Sequence, residues 1–240
     1  MDNYRKVLKI GGESGQGVNS IGEMLAKALK RAGYKVFGYR EYPSLIKGGF
    51  KLDQVSSYQI DFSDLTVRSS SNKFDLVICI SRLAVHRFLK DINPGGILIH
   101  SLVRLNLTDE ELDFINSNNI SVIFVDALQK VKELGGTPIM ENTYLVGIAW
   151  KFLGLPLDIV DEAFKIQFEK KPQILDINIK CLGAGYGYQP ETEVKHIEIK
   201  FEKHQDWQDS VIVTGNETLG MGIIAAGVRA YFSYPMTPSS

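Results

Sequence analysis

Short apolar runs alternate with amphipathic stretches along most of the chain. The apolar runs have strand length, and several are continuous, which is typical of parallel strands covered on both faces. They fall at residues 7–10, 35–39, 74–80, 97–100 and 120–125, with a more loosely alternating candidate at 51–60. Apolar residues three and four positions apart lie between the runs and predict helices. The alternation predicts a doubly wound, Rossmann-like α/β domain with a mostly parallel sheet.

The clearest helix is predicted at 19–31, between the first two strands. Its apolar face is formed by Ile21, Met24, Leu25, Ala28 and Leu29. Gly33 is expected to end it as a left-handed C′ residue. The strand–helix–strand order predicts that both strands run in the same direction.

Two further helices carry N-cap signals. Ser81 is expected to cap a helix at 83–89, and Thr108 one at 109–116. A charged stretch at 189–209 lacks a long apolar face and is interpreted as a linker. Alternation at 195–201 predicts an edge strand within it.

The pattern changes at residue 210. A strand and turn are predicted over 210–217, a helix over 219–229 and a second strand over 230–234, followed by a loop. This order is typical of the opening β-α-β of another domain. A single β-α-β cannot bury its own apolar faces, so either the sequence is cut or a partner completes the fold.

Composition narrows the class of protein. Hydrophobic residues make up 44% of the chain and charged residues 23%, with a net charge of −1, which gives no reason to expect nucleic acid or a membrane surface as partner. The two cysteines, Cys79 and Cys181, are far apart, so no iron–sulfur or zinc motif is present. No signal peptide or 18-residue apolar run appears, and a cytoplasmic location is expected.

A glycine-rich turn follows the first strand directly. Gly11, Gly12, Gly15 and Gly17 permit positive φ and close approach of a ligand, and the next helix directs free N–H groups towards this turn. The spacing is G-x-x-G-x-G, which is neither the dinucleotide fingerprint nor a P-loop. Two interpretations stay open, a site for a phosphate-bearing ligand and a tight turn without a ligand.

A second irregular segment leaves the second strand at the edge where α/β sheets hold ligands. It contains Pro43, followed by Lys47, Gly48 and Gly49. Lys47 could reach a phosphate at low steric cost. By itself, a surface lysine beside a turn is the simpler interpretation.

These segments together resemble the gamma subunit, or gamma domain, of 2-oxoacid:ferredoxin oxidoreductases. Residues 41–49 match the family text E-Y-P-S-L-I-R-G-G with lysine in place of arginine, which keeps the charge and loses the bidentate fork. Residues 215–240 are similar to the start of the family's alpha subunit, G-N-E-A-x-A-x-G-A…Y-P-I-T-P-S-S, with Thr218 and Met236 as mild departures. The resemblance implies a gamma domain at 1–188, a linker at 189–209 and the start of a thiamine-diphosphate-type alpha domain at 210–240.

The resemblance also implies a reaction. The family decarboxylates a 2-oxoacid, transfers the acyl group to coenzyme A and passes electrons to ferredoxin. Thiamine diphosphate and a 4Fe–4S cluster are expected mainly in a partner beta subunit. Thr237 maps to the threonine that lines the 2-oxoacid pocket. The expected coenzyme A-binding residues are Gly12, Ser14, Gly15, Gln16, Gly17, Lys47, Gly48 and Gly49.

Two other interpretations remain. In a Rossmann-type NAD(P)-dependent oxidoreductase, Glu41 would be the ribose-binding acid 24 residues after Gly17. In a non-catalytic assembly domain, the glycine turn would only pack against a partner. The four histidines, His86, His100, His196 and His204, show no metal spacing and are expected to be structural or on the surface.

Overall fold

A computed structural model describes residues 4–13, 15–42 and 55–234 of the chain. The chain divides into two compact units, Met1–Gln205 and Asp206–Ser240. The first unit contains the sheet and most of the helices, and it carries the predicted ligand turn.

The sheet of the first unit has six strands in the order β2-β3-β1-β4-β5-β6. The strands are β1 Lys6–Glu13, β2 Lys35–Glu41, β3 Val55–Ser63, β4 Phe74–Cys79, β5 Ile92–His100 and β6 Ser121–Phe124. From β1 to β6 all neighbours are parallel, whereas β3 is antiparallel to both β1 and β2. The predicted α/β fold with a mostly parallel sheet is confirmed. β1 and β2 do run in the same direction, but β3 lies between them.

The helices cover both faces of this sheet. They are α1 Val18–Arg31, α2 Arg82–Phe88, α3 Asp109–Ser117, α4 Ala127–Glu133, α5 Glu141–Phe152, α6 Leu157–Phe168 and α7 Pro172–Tyr186. The five predicted apolar residues of α1 are all buried. Gly33 follows α1 with φ 95°, so the predicted left-handed C′ glycine is confirmed. One apolar core lies between the sheet and α1, α5, α6 and α7, and a smaller one lies under α2 and α3.

Helices α5 and α7 approach each other through glycines. A Cβ at Gly185 would lie 2.0 Å from the Tyr144 carbonyl oxygen, and one at Gly147 would lie 2.2 Å from the Leu182 carbonyl oxygen. Both contacts are with backbone atoms, so a side chain at either position would force the helices apart. The glycines therefore set the helix spacing on this side of the sheet.

The N-terminus of α3 is a capping box. Thr108 Oγ1 accepts a hydrogen bond from the Glu111 N–H at 3.3 Å, and the Glu111 carboxylate accepts one from the Thr108 N–H at 2.8 Å. The predicted cap is therefore confirmed, as is the Ser81 cap of α2, whose hydroxyl accepts from the Ala84 N–H.

Replacing Thr108 with alanine removes this cap, and we expect a loss of about 1 kcal/mol in the free energy of unfolding. Urea denaturation measures the effect. Asn106→Ala, an exposed change in the same loop, serves as the control and is expected to alter stability by less than about 0.5 kcal/mol. Equal stabilities of the two variants would contradict the capping role.

The edge strand predicted at 195–201 does not form. The segment instead lies along the surface of the core, where Ile197 is buried and its N–H donates to the Phe152 carbonyl at 2.7 Å. Phe201 makes edge contacts with the rings of Tyr34 and Phe62. Its alternating apolar residues pack on helices and on core aromatic rings, so alternation here indicates one-sided burial without strand pairing. The proposed domain limits at 188 and 210 remain a prediction.

The second unit contains helix α8, Gly215–Ala225, which starts earlier than predicted. Thr214 and Glu217 form its capping box. The two strands predicted over 210–217 and 230–234 are absent from the described part of this unit, residues 206–234. A strand needs a neighbour with which to exchange hydrogen bonds, and no neighbouring strand is found among these residues.

Candidate functional site

The glycine turn lies between β1 and α1, at the carboxyl end of β1. Strand β1 continues to Glu13, so Gly11 and Gly12 belong to the strand. Only Gly15 and Gly17, with φ of 90° and 78°, take the left-handed conformation that favours glycine. The turn itself is thus shorter than the glycine pattern predicts.

The four glycines have different roles. A Cβ at Gly11 would lie 2.5 Å from the Phe88 ring, and one at Gly12 would lie 2.8 Å from Gln16 Oε1, so these two allow close internal packing. A Cβ at Gly15 would meet nothing within 4 Å. Gly15 is therefore the glycine at which the backbone is open to an approaching ligand.

Side chains from within the domain hold the turn in place. Gln16 Oε1 accepts from the Glu13 N–H at 2.6 Å, and Asn142 Nδ2 donates to the Gln16 carbonyl at 2.6 Å. Asn142 lies at the start of α5, 126 residues away in sequence. No local signal identified Asn142, because its role depends on how α5 packs against α1.

The start of α1 is chemically suited to an anion. Its N-cap is Gly17, no side chain caps it, and its first turn contains no acidic residue. Asn19 Oδ1 is the one buried side-chain polar atom without a partner in the described ranges. Uncapped N–H groups and the positive end of the helix dipole favour a phosphate or carboxylate here.

The turn also occupies the topological switch point of the sheet. β1 and β4 are neighbours, but the chain leaves β1 towards β3 and β2 and leaves β4 towards β5. The Ile80 N–H donates to the Gly11 carbonyl at 2.9 Å and joins the two strand ends. Ligands of open α/β sheets bind in this crevice. Cys79 beside it is fully buried, and burial raises the pKa of its thiol, so it is a core residue as expected and a poor nucleophile.

Glu41 is engaged in an ion pair. Its Oε2 lies 2.6 Å from Nζ of Lys9, which is itself only 2% exposed, and Ser57 also donates to it. Burial alone would raise the pKa of Glu41, but the hydrogen bonds from Lys9 and Ser57 outweigh it, and the pKa is lowered. Since β3 also separates β2 from β1, Glu41 is not placed as a ribose-binding acid next to the turn. The NAD(P) interpretation loses the residue on which it depended.

Several predicted site residues lie outside the described residues. These are Ser14, Lys47, Gly48, Gly49 and Thr237. Their roles therefore stay predictions. Within the described ranges, no group of three His, Cys, Asp or Glu side chains could hold a metal ion. The described helices also include none with the length and apolar character that a membrane span requires.

Comparison with curated proteins identifies relatives that are longer than this chain. The alpha subunit of 2-oxoacid:ferredoxin oxidoreductase 2 from Aeropyrum pernix is 25% identical over 269 residues, covering 97% of this chain and 41% of that protein. Ketoisovalerate oxidoreductase subunit VorA from Methanothermobacter marburgensis is 31% identical over 186 residues, covering 76% of this chain and 36% of that subunit. The chain thus spans about two fifths of the length of these relatives.

Solved structures share the fold. The 2-oxoglutarate:ferredoxin oxidoreductase from Magnetococcus marinus, with 2-oxoglutarate, coenzyme A and succinyl-CoA bound, matches 98% of this chain and 40% of its own, with a TM-score of 0.77 and 22% identity. A keto/oxoacid ferredoxin oxidoreductase gamma subunit from Geobacter sulfurreducens matches 76% of this chain and 96% of its own, with a TM-score of 0.59 and 17% identity.

A family model for pyruvate ferredoxin/flavodoxin oxidoreductase matches residues 7–188, which include the whole sheet and the glycine turn. The chain therefore belongs to the pyruvate ferredoxin/flavodoxin oxidoreductase family.

Proposed function

We propose that this chain is the gamma-type domain, joined to the start of an alpha-type domain, of a 2-oxoacid:ferredoxin oxidoreductase, and that its glycine turn binds coenzyme A. The uncapped start of α1 behind Gly15 and Gly17, at the switch point of the sheet, carries the proposal. Two comparisons support it. An alpha subunit aligns with 97% of this chain. A solved gamma subunit aligns over 96% of its own length with 76% of this chain.

In this proposal the complete enzyme converts a 2-oxoacid and coenzyme A to acyl-CoA and CO₂, with ferredoxin as electron acceptor, in the cytoplasm. Thiamine diphosphate and a 4Fe–4S cluster, held mainly by a beta subunit, would supply the decarboxylation and electron-transfer chemistry. The residues of this chain bind and orient. The N–H groups of the first turn of α1 would hold a coenzyme A phosphate, with Lys47 beside it. Thr237 would donate a hydrogen bond to the 2-oxoacid.

A non-catalytic assembly role is the second candidate. It is favoured by the internal contacts of the turn, since Gln16 and Asn142 fix it without any ligand. Calorimetric titration of the chain with coenzyme A and with NAD separates the candidates. Saturable binding of coenzyme A and none of NAD is expected. Absence of binding to either ligand would leave the assembly role.

Replacing Gly15 with valine is expected to weaken coenzyme A binding by at least about tenfold, because one lost charge-assisted hydrogen bond already has this effect. The branched side chain blocks the open approach to the backbone. Valine held at the positive φ of this position should also lower the free energy of unfolding by about 1–3 kcal/mol. Calorimetry beside a melting curve measures both effects.

Gly154→Val is a matched control for this variant. Gly154 also has positive φ, 67°, and open space around it, but it follows the opposite end of α5 from Asn142. It should lose similar stability and keep the wild-type Kd for coenzyme A. Equal Kd values in the two folded variants would show that the turn is structural.

Lys47→Ala is expected to raise the Kd for coenzyme A by about tenfold, if one charge-assisted hydrogen bond of about 1.5 kcal/mol is lost. The effect should shrink at high salt, because Lys47 is predicted to be a surface lysine and salt screens surface charges. Titrations at low and high salt measure both. Lys132→Ala removes an exposed lysine from α4 and should leave the Kd unchanged. An unchanged Kd for Lys47→Ala at low salt would exclude this role.

A further inference from the structure

The sheet ends at strand β2, which pairs with β3 on one side only. This pairing has no register shift, unlike that of β4 with β5. Among the residues that the structure describes, no backbone group outside β3 bonds to residues 36–41. A regular outer edge of this kind presents a row of backbone N–H and C=O groups that can pair with a strand of another chain.

Strand β2 also lacks the features that usually protect an edge from pairing. It contains no proline and no bulge, and its three central residues, 37–39, carry no charge. A lysine at the centre of an edge strand is a common safeguard. Here the centre instead carries Tyr39, an aromatic side chain that is 45% exposed. The edge is therefore suited to pairing.

The sequence of β2 is complementary to a second copy of itself that runs in the opposite direction. Directly opposed residues of a continuous sheet point to the same face, so two identical antiparallel strands must meet with one residue opposite its own copy. Placing Gly38, the middle residue, at this point pairs all seven residues of the strand. Lys35 then lies opposite Glu41, and Phe37 lies opposite Tyr39. Opposite charges and aromatic pairs at such positions stabilise adjacent strands.

Glu41 can join this contact and keep its partners within its own chain. Lys9 and Ser57 both contact Oε2 of Glu41, and in the described part of the chain no group donates to Oε1. The Glu41 side chain is 39% exposed. Lys35 and Glu41 lie on the same face of β2, because side chains alternate along a strand. A lysine from a second copy can therefore approach Glu41 from that face.

We propose that two copies of this chain associate through their β2 edges, antiparallel about a twofold axis at Gly38, so that their two sheets form one continuous sheet. The interface is isologous, so the Lys35–Glu41 contact and the Phe37–Tyr39 contact are each made twice. The glycine turn takes no part in it, and the association does not depend on coenzyme A.

Sedimentation velocity of the full chain over a range of concentrations measures this association. Wild type should form dimers. Tyr39→Lys should raise the dimer Kd by at least about tenfold, because it removes both aromatic pairs and places two lysines diagonally across the axis. Its melting temperature should stay near that of wild type, because Tyr39 is exposed.

Tyr231→Lys is the matched control. It makes the same change at a 63% exposed tyrosine in the Asp206–Ser240 unit and should leave the dimer Kd unchanged. A wild-type chain that stays monomeric at every concentration would overturn the proposal. A dimer that Tyr231→Lys dissociates and Tyr39→Lys does not would overturn it as well.

Disulfide cross-linking tests the register. Directly opposed residues have Cα atoms about 4.5–5.5 Å apart, within reach of a disulfide, whereas diagonal neighbours are about 7–8 Å apart. A mixture of Phe37→Cys and Tyr39→Cys chains under mild oxidation should give a linked dimer, and each variant alone should give none. The native cysteines, Cys79 and Cys181, are buried and should not react. An unlinked mixture, or Tyr39→Cys chains that link to each other, would contradict a twofold axis at Gly38.

Discussion

Acidification from pH 7 to pH 4 is expected to destabilise the Met1–Gln205 unit, with His100 contributing about 3 kcal/mol of the loss. Burial lowers the pKa of His100 from 6.5 to about 4. Between these values the unfolded chain binds a proton that the folded chain does not. The contribution of His100 to stability is therefore complete above pH 6.5 and is lost progressively as the pH falls towards 4.

Urea denaturation at several pH values between 7 and 4.5 measures the slope. In this window the carboxylates with lowered pKa, Glu41 and Glu111, contribute little, because their loss of stability begins near their ordinary value of 4.5. His100→Asn is the matched variant, since it keeps an acceptor for the Leu102 N–H, which donates to His100 Nδ1 at 3.3 Å, and cannot be protonated. Its free energy of unfolding should be lower at pH 7 and nearly flat across the window. A slope equal to that of wild type would contradict a buried, neutral His100.

Local signals in the sequence were sufficient for the helices near the site. The face of α1, the Gly33 terminus and the Ser81 and Thr108 caps all follow from residues within one or two turns of each other. The glycine turn was predictable for the same reason, since its conformation depends on Gly15 and Gly17 themselves. Such caps and turns depend on contacts between residues close in sequence, so the sequence pattern predicts them directly.

The placement of β3 could not be predicted in this way. Strand β3 pairs antiparallel between β1 and β2, and one of its faces has the polar residues Ser57, Gln59 and Asp61, all of them buried. Gln59 donates to Asp61, and Lys9 lies 3.4 Å from Gln59 Oε1, so polar groups replace the apolar pattern that predicts a buried strand. Their hydrogen-bond partners outside β3, which are Lys9 of β1, Glu41 of β2 and Ser71 of the β3–β4 connection, become neighbours only in the folded domain. Asn142 at the glycine turn was missed for the same physical reason.

Replacing Gly185 with alanine is expected to cost about 3 kcal/mol or more in the free energy of unfolding, at the upper end of overpacking changes. The new Cβ would lie 2.0 Å from the Tyr144 carbonyl oxygen of α5. No rotamer change can relieve this contact, because it joins a Cβ to a backbone atom. Helices α5 and α7 would have to separate. The Cys181 and Leu182 side chains of α7, which are fully buried, would then lose packing contacts in the core.

Gly183→Ala is the matched control on the same helix. Nothing lies within 4 Å of a Cβ at this position, so alanine should stabilise α7 by about 0.5–1 kcal/mol through its helix propensity. The two variants differ by two positions and share the same chemical change, and the expected effects have opposite signs. Denaturation curves of the two variants measure the change in the free energy of unfolding for each. If Gly185→Ala were as stable as Gly183→Ala, α5 and α7 could not be in contact at Tyr144.

Because α5 also supplies Asn142 to the glycine turn, the Gly185→Ala protein that remains folded should bind coenzyme A more weakly, whereas Gly183→Ala should bind it as wild type does.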